Sequence, residues 1–203
     1  MTYPKLKSKK SILLVILLLV VMGALALKLS SKKDTQITGS STNSGNSSQT
    51  ASDKVTAALK PGTIDTADFT YPKPNAWAVL AKSRLDLTGA NSGIGVGAGP
   101  IATFTTRVSS AAPSSNSDLT SSTLSELKKL SKFQLVSDVV TKVNGKSGQK
   151  FTYKFSDAST VRQEMSVIVY KNKTYFLLFS ATDSDFDKQA IDFNAILSGF
   201  KFK

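Results

Sequence analysis

Hydrophobic positions fall into three regimes along this chain. Ile12 to Leu27 is an unbroken apolar run with no polar face; Ser30 to Asp53 is nearly all Ser, Thr, Asn, Gln, Gly, Lys and Asp; from Val55 onward apolar residues recur with periods of two and of three to four. The first regime predicts a transmembrane helix over residues 11–29. Sixteen apolar residues span about 24 Å and the whole segment about 28 Å, against a hydrocarbon core of about 30 Å, and Lys28 can reach the headgroups with its ammonium. The second regime predicts a disordered linker over residues 30–54, because so few apolar groups cannot offset the entropy of ordering them. The third predicts one exported domain over residues 55–203, a length suited to a single core.

Within that domain the pattern predicts an α+β fold. Val55–Leu59 reads as a helical turn ended by Pro61-Gly62, and Asp68–Tyr71 as a strand broken by Pro72 and Pro74. Ala76–Leu80 reads as a strand, Thr88–Pro100 as a glycine-rich loop between two strands, and Ile101–Val108 as a β-branched strand. After a Ser/Pro loop over Ser109–Ser117, Thr123 and Glu126 have the spacing of a capping box, predicting a helix that starts there with Leu124, Leu127 and Leu130 inward. A meander of four antiparallel strands follows: Leu135–Val143, turned at Asn144-Gly145, then Gln149–Ser156, Glu164–Tyr170 and Thr174–Ala181. A closing helix begins near Asp183, with Phe186, Ala190, Phe193 and Leu197 on one stripe and Gly199 at its C′ position. Phe200–Lys203 returns to a period of two.

Charge adds a direction. The formal net charge is +12, and it divides evenly: residues 1–54 carry eight Lys against two Asp, and residues 55–203 carry eighteen Lys plus Arg against twelve Asp plus Glu. The basic tail of residues 1–10, with Lys5, Lys7, Lys9 and Lys10, outweighs Lys28, Lys32 and Lys33 and predicts a cytoplasmic N-terminus. The expected location is thus the cell membrane, single-pass, with the C-terminal domain extracytoplasmic. The alternative is a cleaved signal peptide, since Ala24-Leu25-Ala26 is a small-x-small triplet and cleavage after Ala26 would release a secreted protein. The domain's positive charges are scattered rather than interleaved with aromatics, so nucleic acid is not an expected partner. With no cysteine in the chain, disulfides, thiolate metal sites and a lipid anchor on cysteine are excluded.

Several short motifs carry chemistry in other proteins. Thr88-Gly89-Ala90-Asn91-Ser92-Gly93-Ile94-Gly95 has the letters of a dinucleotide-binding fingerprint, which needs a strand before the glycines and a helix after them; here the residues that follow cannot start a good helix. Asp183, Asp185 and Asp187 begin like a calcium loop, but Lys188 stands at the turn glycine and Asn194 at the bidentate acid. Ser125-x-x-Lys128 has the spacing of penicillin-recognising enzymes without their other motifs. Trp77, Tyr153, Tyr170 and Tyr175 suit either a ligand cleft or a core. There is no histidine, so the usual nucleophile triads and imidazole zinc sites are closed. The expectation is no catalytic, cofactor-binding or metal residue, no cofactor, and no enzyme.

Four stretches together resemble one family: the aromatic-Pro segment leading to a tryptophan (Phe69 to Trp77), the amphipathic mid-chain helix, the hairpin Ser166–Tyr170 with Tyr175–Ser180, and the ending Phe193 to Phe202. They are similar to PsbP-like domains, which include the extrinsic photosystem subunit, Mog-type Ran-binding proteins and exported bacterial proteins. The resemblance covers about Ile64 to Lys203. Where the family commonly has Gly before the Trp, this chain has Asn75-Ala76. The resemblance implies an antiparallel sheet with helices packed on its faces, working by binding other proteins, and it brings no catalytic motif. The expected function is a membrane-anchored extracytoplasmic binding or assembly module with a protein or cell-envelope polymer partner. The alternative is a small-ligand receptor or weak enzyme using a cleft near the loop 88–100.

Overall fold

A computed structural model of the chain describes residues 61–97, 101–110, 115–156 and 159–203. The expected tail, membrane helix and linker, and the helical turn at Val55–Leu59, lie outside the described residues. Among the described residues no helix is long and apolar enough to cross a membrane.

The element order is β1 (Gly62–Asp65), β2 (Phe69–Lys73), β3 (Trp77–Val79), α1 (Lys82–Thr88), β4 (Ser92–Val96), β5 (Ala102–Ser109), α2 (Asn116–Leu127), β6 (Gln134–Val143), β7 (Lys146–Ser156), β8 (Thr160–Tyr170), β9 (Lys173–Thr182), α3 (Asp183–Phe186), a single 3-10 turn (Asp187–Gln189), α4 (Ala190–Ser198) and β10 (Lys201–Phe202). Seven strands make one antiparallel sheet in the order β3-β4-β5-β9-β8-β7-β6, and three make a second in the order β1-β2-β10.

The large sheet is the wall between two apolar clusters. On one face Leu119 and Leu127 of α2 pack on Phe151, Tyr153, Phe155, Met165, Val167, Phe176 and Leu178. On the other face the small sheet and the closing helices supply Phe69, Tyr71, Phe186, Phe193, Ile196 and Phe200 against Phe104, Leu177 and Phe179. Rings from distant parts of the chain meet there: Phe69 and Phe200 stack at 5.3 Å, and Phe179 and Phe193 at 4.6 Å. Each such ring withdrawn from water contributes about 2–3 kcal/mol.

The meander is where sequence pattern and structure agree most closely. Both of its outer hairpins turn on two residues with left-handed backbone, Asn144 (φ 46°) with Gly145 (φ 74°) and Lys171 (φ 48°) with Asn172 (φ 59°), the geometry whose twist matches that of the strands it joins. The closing helix also starts at Asp183 as expected, though a 3-10 turn divides it.

Four expectations are corrected. The helix foreseen at Thr123 begins at Asn116, with Ser115 as the N-cap accepting from the Asp118 amide; Thr123 and Glu126 lie buried on its inner face near the end. The glycine-rich span from Thr88 is not loop throughout, because its residues Ser92–Val96 form β4, a strand paired on both sides, and α1 precedes it. The strand through Phe69 does not stop at Pro72 but runs to Lys73. A missing N–H does no harm there: the Thr66 amide bonds the Phe69 carbonyl, so by alternation the Pro72 nitrogen faces away from β1, on the side where β10 has already ended at Thr70. Gly199 follows the last helix as expected but with φ −91°, so it is no left-handed cap. A glycine stands there because a Cβ would lie 2.7 Å from Cγ and Cδ of Pro72.

The position before Trp77 carries strain. Pro74 accepts the Trp77 amide at 3.3 Å, closing a turn in which Ala76 takes φ 66°, the third position that glycine fills in such turns. Lys73 Nζ, itself buried, donates to the Trp77 carbonyl at 2.8 Å and holds the turn from inside. Replacing Ala76 by Gly is therefore expected to stabilise the domain by about 0.5–1 kcal/mol, removing the Cβ clash at some entropic cost. Gly199→Ala is expected to destabilise it by about 1–3 kcal/mol through overpacking against Pro72. Urea unfolding of the two variants beside the parent checks both signs.

Candidate functional site

The motifs singled out in the sequence are taken up by the fold. In the Thr88–Gly95 stretch a helix comes first, Gly89 (φ 61°) ends it in a left-handed cap, and a strand follows. That order is the reverse of strand, glycine turn, helix, so no helix N-terminus is aimed where a pyrophosphate would lie. β4 needs small residues for another reason: a Cβ on Gly93 would come within 2.9 Å of Leu80 and 3.0 Å of Thr105. The described part of 88–100, where the alternative reading set a cleft, contains a packed strand.

The three aspartates of the calcium-like run diverge to separate cations. Asp183 meets Lys154 at 2.8 Å, Asp185 meets Lys188 at 2.7 Å, and Asp187 meets Arg162 at 3.1 Å; hydrogen bonds from Lys188 and Thr182 hold the Asp185 carboxyl below its usual range. Among the described residues no cluster of acids could hold a metal ion. Ser125 and Lys128 are both exposed near the end of α2.

The aromatic candidates belong mostly to the interior. Trp77 is fully buried, and its indole N–H donates to Asp192 of α4 at 2.7 Å. The Tyr153 hydroxyl donates to Gln163 at 2.7 Å, whose amide donates to Ser180 at 2.9 Å, tying β7, β8 and β9 on the face under α2. Tyr71 reaches Ser92 at 2.9 Å, and Ser92 reaches Thr106 at 2.8 Å, which clips the small sheet to β4 and β5. Only Tyr170 is half exposed, with the Lys146 ammonium 4.7 Å above its ring.

What the pattern of the sequence did not reveal is the exposure of β6. This strand has ten residues, pairs only with β7 and leaves its other side unpaired among the described strands. The opposite edge, β3, is three residues long. Leu135, Val136, Val139 and Val140 are all exposed, Val140 by 75%. A bulge between Leu135 and Ser137 adds one residue and shifts the phase of the strand, after which Val139 projects on one face and Val140 on the other. Asp138 accepts a hydrogen bond from Gln149 across the ladder. The β7 neighbours on the Val139 face are Lys146, Lys150 and Lys154, four residues apart each; Lys150 lies 3.4 Å from Glu164. The β6–β7 hairpin is therefore a long apolar edge beside a row of cations. Neighbouring valines put one apolar residue on each face of the strand, but they do not tell whether either face is covered.

Among solved structures, the chain is similar to cyanobacterial PsbP (CyanoP) from Synechocystis sp. PCC 6803, with a TM-score of 0.53, 13% identity, and 71% of this chain and 94% of that one covered. It is similar also to LpqN of Mycobacterium tuberculosis, a protein described as involved in cell envelope biogenesis, with a TM-score of 0.53, 18% identity, and 71% and 91% covered. No protein-family model and no curated protein sequence matches the chain. The domain has the PsbP-like fold that the sequence led us to expect, and both relatives are distant.

The buried tyrosines give the domain an alkaline limit. Burial pushes the Tyr71 hydroxyl up to about 12, against a partial opposing effect of the Ser92 hydrogen bond, and burial pushes Tyr153 up as well. A folded value above the unfolded one means that this contribution is whole below pH 10 and is lost as pH rises toward 12. Stability is expected to fall by up to about 3 kcal/mol per such group across that window. Tyr71→Phe should flatten the fall while lowering stability at neutral pH; urea unfolding from pH 8 to 11.5 measures both.

Proposed function

We propose that this chain is a membrane-anchored binding or assembly module, without a catalytic centre of its own, presented outside the cytoplasm and meeting its partner along the β6 edge. The observation that carries the reading is that edge: a ten-residue strand whose outer side has no partner among the described strands and whose apolar side chains are exposed on both faces. Natural sheets blunt a free edge with proline, inward charge or brevity, as β3 does by brevity. A long edge with apolar side chains exposed on both faces suits strand addition by a partner, in which main-chain hydrogen bonds supply affinity and side-chain contacts supply choice.

The membrane assignment rests on the apolar segment 11–29, the linker 30–54 and the lysines before them. A PsbP-like fold is compatible with it, and the part of LpqN in envelope biogenesis is consistent with it. The non-catalytic assignment rests on the absence of histidine and cysteine from the sequence and on the dispersal of the motif residues described above.

Because the chain has no cysteine, one introduced thiol reports its own location. Ser125→Cys, exposed on α2, is expected to react with a membrane-impermeant maleimide in intact cells, after outer-membrane permeabilisation where the envelope has two membranes. Labelling only after lysis would place the domain in the cytosol and end the reading. A photoreactive residue at Val140 is expected to give a discrete protein adduct in cells, and one at Ile191, equally exposed on α4, is not. Equal adducts at both sites would remove the edge from the account.

A further inference from the structure

The backbone of β6 restricts how any strand can add to it. Val143 and Lys146 flank the two-residue turn Asn144-Gly145 and face each other across it, so they form a hydrogen-bonded pair. In an antiparallel ladder such pairs alternate with pairs that point their N–H and C=O outward. Val143, Thr141, Val139 and Ser137 are therefore bonded to β7, and Lys142, Val140 and Asp138 present their backbone groups to the open side. All three side chains of that outward set share the face on which Asp138 lies opposite Phe151.

We infer that the partner of this edge is a second copy of the chain, with β6 pairing antiparallel to its twin about a two-fold axis through Val140. The inference rests on the edge-binding reading and names the occupant. It follows from the order of three residues. Outward residues must pair with outward residues, so five registers are open to a symmetric pair, centred on residues 138 to 142. Centring on Asp138 or on Lys142 opposes like charges at the axis. Centring on Val139 or on Thr141 sets Asp138 or Lys142 against Val140. Only centring on Val140 sets each Asp138 opposite the other copy's Lys142, twice by symmetry, and brings the two most exposed valines together between them.

The remaining positions agree with that register. It pairs Ser137 with Val143 and Val139 with Thr141, so the paired stretch is residues 137–143 in each copy. The bulge at Leu135–Ser137 falls just outside it and does not interrupt the new ladder. The Asn144-Gly145 turn closes the other end. The seven-stranded sheets of the two copies become one sheet, and neither copy retains its long free edge.

The full-length chain in its own membrane carries the test, with each cysteine variant holding the sole thiol. Directly opposed residues of a hydrogen-bonded antiparallel pair have Cα atoms about 5.5 Å apart, within the roughly 4.4–6.8 Å that a disulfide spans. Val140→Cys is expected to give a band of doubled mass on mild oxidation. Asp138→Cys alone and Lys142→Cys alone are expected to give none, because four residues of offset separate like positions by about 13 Å. The two co-expressed, one carrying a size tag, are expected to crosslink to each other.

Asp138→Lys, which turns both cross-strand attractions into repulsions, is expected to weaken the association about tenfold, read as dilution of the Val140→Cys band. Adding Lys142→Asp is expected to restore it. These side chains are exposed, and unchanged near-ultraviolet circular dichroism will show that the variants remain folded. Absence of the Val140→Cys band overturns the proposal. Self-crosslinking of Asp138→Cys or Lys142→Cys, or indifference to the charge exchange, overturns it as well. If the photoreactive group at Val140 captures a different protein while Val140→Cys never doubles, the second copy is wrong and edge binding survives. If neither occurs, both readings fall.

Discussion

Strand β9 has to be dry on both sides. Residues 174 to 181 are all buried, so none of their backbone N–H and C=O groups has water to turn to, and every one must find a partner in a neighbouring strand. β5 and β8 flank it over nearly its whole length and provide those partners. The side chains then dictate the layers. Tyr175, Leu177, Phe179 and Ala181 need cover on one face and Phe176 and Leu178 on the other, which is why α2 lies on one side of the sheet and the small sheet with α3 and α4 on the other. Neither cover would have an apolar surface to meet without this strand between them.

The two covers are narrower than the sheet. Burial is heaviest over β9, lighter over β8 and lightest at β6, where a single residue, Val143, remains buried. The two margins of the sheet end differently. At β3 the strand is short, Trp77 turns inward, and its indole is held by Asp192. At β6 the strand is the full width of the sheet and nothing described here covers it. Other exposed apolar residues, such as Val79 and Ile191, lie apart from one another, whereas Leu135, Val136, Val139 and Val140 share this one strand.

How much of this could be read from the sequence depended on whether one physical cause dominated locally. The meander was legible because Asn144-Gly145 and the alternation of Phe151, Tyr153 and Phe155 act together. The closing helix was legible from Phe186 and Phe193. β4 was not, because Ser92, Gly93 and Gly95 are small for the sake of close packing, and small residues look like a loop. The start of α2 was hidden in serines and threonines; its inward stripe runs Leu119, Thr123, Leu127, with a threonine where an apolar residue was expected. Pro72 looked like a strand breaker because its neighbours across the sheet cannot be known from the chain alone. The β6 edge failed differently. Val139-Val140 reads as a strand buried on both faces, and only the strand order of the sheet tells that β6 lies at the margin.

The pairing of β10 with β2 bears on the order in which the molecule can assemble. Lys201 and Phe202 lie against Thr70 and Phe69, the Lys203 amide donates to the Asp68 carbonyl, and the Lys203 ammonium reaches Asp65, so the two ends of the domain are zipped to each other. A polypeptide emerging amino end first from a ribosome or a translocase can close its meander as soon as β9 is out, since those hairpins are local. The ring cluster around Phe69 and Phe200 cannot close before Phe200 and β10 have emerged. The aromatic seam cannot be sealed without β10, so this short strand acts as the latch of the domain.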